Sequence, residues 1–274
     1  LSNSEYWTHD LVFEQIIILL KYKKISLDAA RSILGIHADK DLYNLNISRD
    51  INFRTKDTSG VKYGKVESKY RKRLLIKDGD CIVNKILKYN PYLLINTHHL
   101  LMNSEQIKKI FYNRNLIVIS IARNPITLIK NFNKQNWEDK YENNPREFTL
   151  TIKQNKRKLN AWYLNKYGKN SLFIEKYASF VIDYYKYQSN YKSKNHILIY
   201  FEKFICNPEK YIPKLENYFG ERTTTTHKLL RSFDLPRNNA EEGLENDLDE
   251  VLSFIKDKNL RNKIYSASKK YKKI

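Results

Sequence analysis

Two short segments of this 274-residue chain place reactive side chains where a fold would present them. In residues 91–102, Pro-Tyr-Leu-Leu-Ile-Asn-Thr-His-His-Leu-Leu-Met, an extended apolar run closes on two histidines, His98 and His99. An imidazole titrates near neutral pH and serves as a general base, a metal ligand or a satisfied structural group. The metal alternative lacks cysteine or carboxylate partners at a convincing sequence spacing. In residues 116–137, the run Leu-Ile-Val-Ile-Ser-Ile-Ala passes directly into Arg123, Asn124 and Pro125 and then into an apolar helix. A run so short and rich in β-branched residues predicts a strand covered on both faces, as in a parallel sheet. Asn124 is a good N-cap, and Pro125 suits the first helical position, where its missing N–H costs nothing. Arg123 is therefore expected at the carboxyl end of a strand and beside a helix N-terminus, where open α/β sheets bind ligands and N–H groups favour an anion. Its planar guanidinium matches phosphate oxygens; the alternative is a carbonyl cap or a surface ion pair.

Strand, Ala-Arg-Asn-Pro, then apolar helix resembles the 3′-phosphate-binding segment of sulfotransferases that use 3′-phosphoadenosine 5′-phosphosulfate (PAPS). The resemblance implies that Arg123 holds the 3′-phosphate of the donor, with Asn131 at the position of the family's serine. An amide can still donate to phosphate. Thr97 and His98 match the family's strand ending in Lys-Thr-His, with Asn96 in place of the lysine. The resemblance makes His98 the base that takes the acceptor hydroxyl's proton as the oxygen attacks sulfur. The most specific match is residues 196–220, a strand followed by an aromatic, Glu202, Asn207-Pro208 and a helix ending at Gly220. Read physically, Asn207 caps, Pro208 opens the helix, Cys206 and Tyr211 form a hydrophobic staple and Gly220 ends it. That segment is structural rather than catalytic.

Sulfotransferases begin with a strand, a loop of the type Pro-Lys-Ser-Gly-Thr-Thr-Trp and a buried helix. Aligning Trp7 with the loop's tryptophan lays residues 1–7 over it, so Ser2, Asn3, Ser4 and Tyr6 are the expected contacts on the 5′ side of PAPS. Ser2 stands where the family has lysine and Ser4 where it has glycine. The lysine stabilises charge on the departing phosphate, and the glycine lets backbone N–H groups approach the phosphosulfate. Their replacement supports a second expectation, a sulfotransferase-like protein that only binds a nucleotide or an acidic partner. The strand that precedes the loop in the family is expected to be lacking or trimmed.

These elements predict a single α/β domain over residues 1–274, three-layered, with a central parallel sheet and helices on both faces, of the sulfotransferase and P-loop kind. The chain is 41% hydrophobic, enough for a core, and no apolar run reaches the length of a membrane span. Fifty basic against thirty acidic residues give a net charge of +20, which draws polyanions in general. The lysines are dispersed, and neither zinc-finger spacing nor an RNA-binding aromatic motif is found, so nucleic acid is not the expected partner. A hydroxyl-bearing glycan or small molecule is. Cys81 and Cys206 are too few for a disulfide framework or a four-cysteine metal site, a cytoplasmic setting is expected, and the scheme requires no metal. No Gly-x-x-x-x-Gly-Lys-Ser/Thr string is present, which argues against a phosphate-loop kinase. Apolar spacing further predicts helices over 11–20, over 26–34 ending at Gly35, from about 104, over 147–167 with Leu159, Trp162 and Tyr163 on one face, and over 171–191.

Overall fold

Residues 3–57, 59–63, 67–76, 79–98, 100–135, 151–154, 157–160, 172–220 and 244–273 are described in this computed structural model. The chain is α/β, mostly helical, with two parallel two-stranded sheets and one antiparallel pair rather than one continuous sheet among the described residues. It divides into two compact units, Leu1–Asn115 with Glu216–Thr224, and Leu116–Leu215 with Thr225–Ile274.

The first unit contains β1 (Thr8–His9), α1 (Leu11–Lys21), α2 (Leu27–Asn46), α3 (Glu67–Arg73), α4 (Asp80–Tyr89), β2 (Ile95–Asn96) and α5 (Ser104–Ile110). β1 and β2 run parallel, Thr8 opposite Ile95 and His9 opposite Asn96, and Ser4 bridges to Tyr92. The described part of the stretch expected to be a donor loop, residues 3–7, precedes β1 and pairs with its neighbour at the Ser4–Tyr92 bridge. Its backbone groups are spent on the neighbouring segment: Glu5 N–H donates to Tyr92 O (3.0 Å), Thr8 N–H to Leu94 O (2.9 Å), and Tyr92 N–H to Asn3 O (2.9 Å). Asp10 then caps α1, its Oδ1 accepting from Val12 N–H at 2.8 Å. Ser26 caps α2 as the sequence predicts, but the helix runs through Gly35 to Asn46. Gly35 keeps helical geometry, and the left-handed residue near the end of the helix is Ser48, at φ 60°. After α2, the first unit continues through a 3-10 turn over Val61–Tyr63 to α3.

Tyr6, Leu45, Val61 and Tyr70 form a buried cluster packed against Ile51, Phe53 and Leu93. Inside it lies a charged pair: Arg73 Nη1 and Nη2 donate to the two oxygens of Glu5 at 2.6 and 3.0 Å. Tyr70 donates its hydroxyl to Glu5 Oε2 (3.0 Å), and Arg73 Nη1 also reaches Leu45 O (3.0 Å). Burial alone raises the Glu5 carboxyl, but the hydrogen bond and charge of Arg73, the Lys69 charge and the Tyr70 hydrogen bond outweigh it, and its pKa lies below the ordinary value.

The second unit contains β3 (Val118–Ala122), α6 (Pro125–Lys134), β4 (Thr151–Gln154), β5 (Arg157–Asn160), α7 (Phe173–Asn190), β6 (His196–Tyr200), α8 (Phe201–Cys206), α9 (Pro208–Phe219) as far as Leu215, α10 (Leu244–Phe254) and α11 (Lys258–Lys272). β3 and β6 are parallel and in register from Val118 opposite His196 to Ala122 opposite Tyr200. Only one face of β3 is packed: Ser120 and Ala122 are buried, while Ile119 and Ile121 are 43% and 60% exposed. The expectation of a strand covered on both faces is corrected accordingly. α7 packs on β3, and Gln188 reaches Ile121 O at 3.5 Å. Within the range 147–167, where a helix is expected, the described residues 151–154 and 157–160 form the antiparallel pair β4–β5, with Gln154 opposite Arg157. Thr149, Thr151 and Ile152 are β-branched residues that favour strands over helices; Trp162 and Tyr163 lie outside the described residues. Phe132 of α6 stacks on Tyr177 of α7 (3.5 Å between centroids), and Lys130 is held by Asp247 and Glu250 at 2.6 and 2.7 Å, fastening α6 to α10. At the far end of the most specific segment, Tyr211 packs on Phe204, and Gly220 takes φ +63° after α9 as expected. No helix among the described residues is long and apolar enough to cross a membrane.

Removing one partner of a buried pair strands the other charge, so Arg73→Ala should lower stability to urea by about 3–5 kcal/mol. The sign with pH follows from the lowered Glu5 pKa. Its contribution is full above the ordinary carboxylate value of 4.5 and fades as pH falls through the depressed folded value, so Arg73→Ala should flatten that acid limb. Gly35→Ala should act oppositely, raising stability by about 1 kcal/mol, since a Cβ there meets nothing within 4 Å.

Candidate functional site

In the first unit, parallel pairing sets the carboxyl ends of β1 and β2 side by side. His9 ends one strand and His98 follows the other, and their rings meet edge-on, 4.9 Å between centroids, with His9 Nε2 3.4 Å from His98 Nδ1. Glu14, in the first turn of α1, lies beneath them with its side chain only 1% exposed. Its Oε1 stands 3.2 Å from His98 Nδ1 and also accepts the His98 backbone N–H. Its Oε2 is buried without a hydrogen-bond partner among the described residues. A carboxylate so placed favours the tautomer with a proton on Nδ1, leaving Nε2 as the nitrogen that takes a proton. The His98 side chain is 49% exposed, so the ring is open to a substrate on one side and anchored on the other.

Sequence spacing did not reveal His9 or Glu14 as partners of His98, because Glu14 is 84 residues away in the chain. One signal was present: Glu14 is the one acidic residue in the apolar stretch 11–20. The carboxylate partner that the histidines lack in sequence is therefore supplied by the fold. His9, Glu14 and His98 each offer an atom within 4.8 Å of the others, a group able to receive a cation, as do Asp10, His37 and Asp41.

Three of the four expected 5′-side residues are described. Ser2 lies outside the described residues. Asn3 Nδ2 donates to Tyr89 O at 3.0 Å, and Ser4 is buried opposite Tyr92. Tyr6 is a core residue whose hydroxyl donates to Ser59 O and Gly60 O at 2.8 and 3.1 Å, and burial raises its pKa. Ser4 and Tyr6 are both buried in the packing that precedes β1.

In the second unit, the register that sets Ala122 opposite Tyr200 brings the next residues together, and the Arg123 guanidinium lies over the Phe201 ring at 5.0 Å. Asn124 caps α6 as predicted, its Oδ1 accepting from Ile126 N–H at 2.9 Å. Glu202, 6% exposed, organises the junction. Its Oε1 accepts the Asn124 N–H at 3.2 Å and stands 3.8 Å from Arg123 Nε, while Oε2 accepts the Tyr271 hydroxyl. Burial, then the Glu202 hydrogen bond and charge, push the Tyr271 hydroxyl far up, so it stays a donor. The Arg123 side chain is 39% exposed. Asn131 stands two turns further along α6, about 12 Å by helical rise, and no hydrogen bond joins it to Arg123. The segment over 196–220, structural in the sequence reading, thus supplies the carboxylate that orients the anion-binding candidate.

Comparison with models of protein families, with curated proteins and with solved structures gave no match to this chain.

Tyr271→Phe removes one donor from a buried carboxylate and should cost about 1–3 kcal/mol in chemical denaturation. Glu202→Gln should cost at least as much, because Arg123 also loses its counter-charge.

Proposed function

We propose that the protein transfers a sulfuryl group from PAPS to an acceptor hydroxyl, with His98 as the base. The observation that carries the reading is the pairing of His98 with buried Glu14 at the carboxyl ends of two parallel strands. Nucleophile activation needs a base within reach of the acceptor and a third group that orients the base, and Glu14 is that group. As the acceptor oxygen forms its bond to sulfur, its proton passes to His98 Nε2. The bond from sulfur to the 5′-phosphate oxygen breaks, and 3′-phosphoadenosine 5′-phosphate leaves. Arg123, steered by Phe201 and Glu202, supplies a cation for the 3′-phosphate; Asn131 is the second contact that the resemblance suggests. The reading carries with it the three-layer fold with one central parallel sheet, and a glycan or small-molecule acceptor. A cytoplasmic setting belongs to it too.

A second reading, binding without turnover, is favoured by the start of α1. There the Asp10 carboxylate occupies the helix N-terminus, and neither Ser4 nor Tyr6 carries the positive charge that a departing phosphate needs.

Calorimetric titration with 3′-phosphoadenosine 5′-phosphate should show micromolar binding by the parent chain and its loss in Arg123→Ala. No binding by the folded parent would remove both readings. Given binding, a screen of hydroxyl acceptors with PAPS separates them: turnover that falls about 10²–10⁴-fold in His98→Ala and less in Glu14→Gln supports the enzyme, and absence of turnover supports the binding protein.

A further inference from the structure

The contact between α1 and α2 holds a second cluster, separate from His98. Asp10 caps α1, and His37 and Asp41 stand one helical turn apart on the same face of α2. A carboxylate oxygen of Asp10, a ring nitrogen of His37 and a carboxylate oxygen of Asp41 lie within 4.8 Å of one another. Asp10 divides its oxygens, Oδ1 to the Val12 N–H and Oδ2 to His37 Nε2. Asp41 is 7% exposed; Lys40 Nζ approaches its Oδ1 at 3.8 Å, and its Oδ2 is buried with no hydrogen-bond partner among the described residues.

An ordinary ion pair does not account for this composition. Two carboxylates converge on a single imidazole, and the more deeply buried of them keeps an unsatisfied oxygen, a costly arrangement for a charged group. A divalent cation satisfies the free oxygen and both negative charges together. Imidazole among the ligands selects a transition metal over Mg2+ or Ca2+, which prefer oxygen throughout.

We propose that Asp10, His37 and Asp41 form a binding site for a divalent transition-metal ion of the Zn2+ or Mn2+ kind. Residues 37 and 41 sit on one rigid helix and Asp10 on the turn between β1 and α1, so the ion clamps the start of α1 to α2. His9 precedes that turn and Glu14 follows it, so the clamp is a positioning device for the group around His98. The site stands on its own geometry and does not require the transfer reaction.

The test is calorimetric titration of the chelator-treated, dialysed full chain with Zn2+, Mn2+ and Mg2+, with thermal melts alongside. One transition-metal ion should bind per chain, more tightly than Mg2+, and raise the melting temperature. Asp41→Asn and His37→Ala should each weaken binding at least about a hundredfold, more than loss of an outer-sphere partner costs, while His9→Ala keeps it. Asp41→Asn gives a second readout. Without metal it should melt no lower than the parent, because it removes a buried charge, and metal should no longer raise its melting temperature. If His37→Ala fails to fold, Asp41→Asn decides the question by itself. No binding by the folded parent would overturn the proposal. So would binding that survives Asp41→Asn, or binding lost in His9→Ala instead, which would move the ion to the group around His98.

Discussion

The bidentate ion pair between Glu5 and Arg73 is the constraint on which the first unit depends. Taking two charges out of water costs several kcal/mol each, and the attraction between them offsets this only where the remaining hydrogen-bonding groups are satisfied. Here they are: Tyr70 donates to the carboxylate, the Leu45 carbonyl accepts from the guanidinium, and Lys69 adds a more distant cation at 3.8 Å. Apolar residues of similar volume could fill the same space, so the pair is better understood as a registry device than as a source of net stability. It fixes the chain at residue 5, one residue beyond the Ser4–Tyr92 bridge and three before β1. Because side chains alternate along a strand, a slip of one residue there would turn His9 to the opposite face.

The same device recurs across a chain whose surface is overwhelmingly basic. Among the described residues, the buried charged groups are five carboxylates, Glu5, Glu14, Asp41, Glu175 and Glu202, and one cation, Arg73. Each glutamate holds something in place. Glu14 holds His98, and Glu202 holds the Asn124 N–H and Arg123. Glu175 accepts the backbone N–H groups of Lys256 and Asp257 at 2.7 and 3.0 Å, from which Asp257 goes on to cap α11. With 50 basic residues to 30 acidic, the lysines stay solvated and act through their summed field, while scarce carboxylates serve as internal anchors. Glu14 and Asp41 each also keep a buried oxygen with no hydrogen-bond partner among the described residues.

Local signals were legible in the sequence, and long-range ones were not. Asn124-Pro125, Ser26 and Gly220 each state their role within a few residues, and each does in the fold what its type predicts. Gly35 misled because glycine marks a helix end only where a left-handed turn is needed, and the chain around it continues as helix. Residues 151–160 misled because apolar spacing suited either period, and the β-branched threonines and isoleucine tipped the outcome. At the first residues the match to a loop rested on Trp7, while the backbone of Asn3 and Glu5 bonds to Tyr92, a partner that no local pattern announces. The grouping of His9, Glu14 and His98 needs a parallel pairing across more than 80 residues, which no local pattern encodes.

That pairing bears on how any anion is held. A helix N-terminus attracts anions because its first N–H groups lack partners. At α1 the Val12 N–H is taken by Asp10, and at α6 the Asn124 and Ile126 N–H groups are taken by Glu202 and by the side chain of Asn124. Both strand-to-helix junctions are thus already supplied with acceptors from within the chain, and at each the internal acceptor includes a carboxylate. A phosphate at either place would meet like charge before it met a free N–H. What remains for a phosphate is side-chain charge, and at the second junction that is Arg123, half-exposed, backed by Phe201 and kept in orientation by the carboxylate that closes the helix end. A phosphate held at this junction would therefore rely on a guanidinium rather than on a helix dipole, and an exposed guanidinium acts through a field that salt screens.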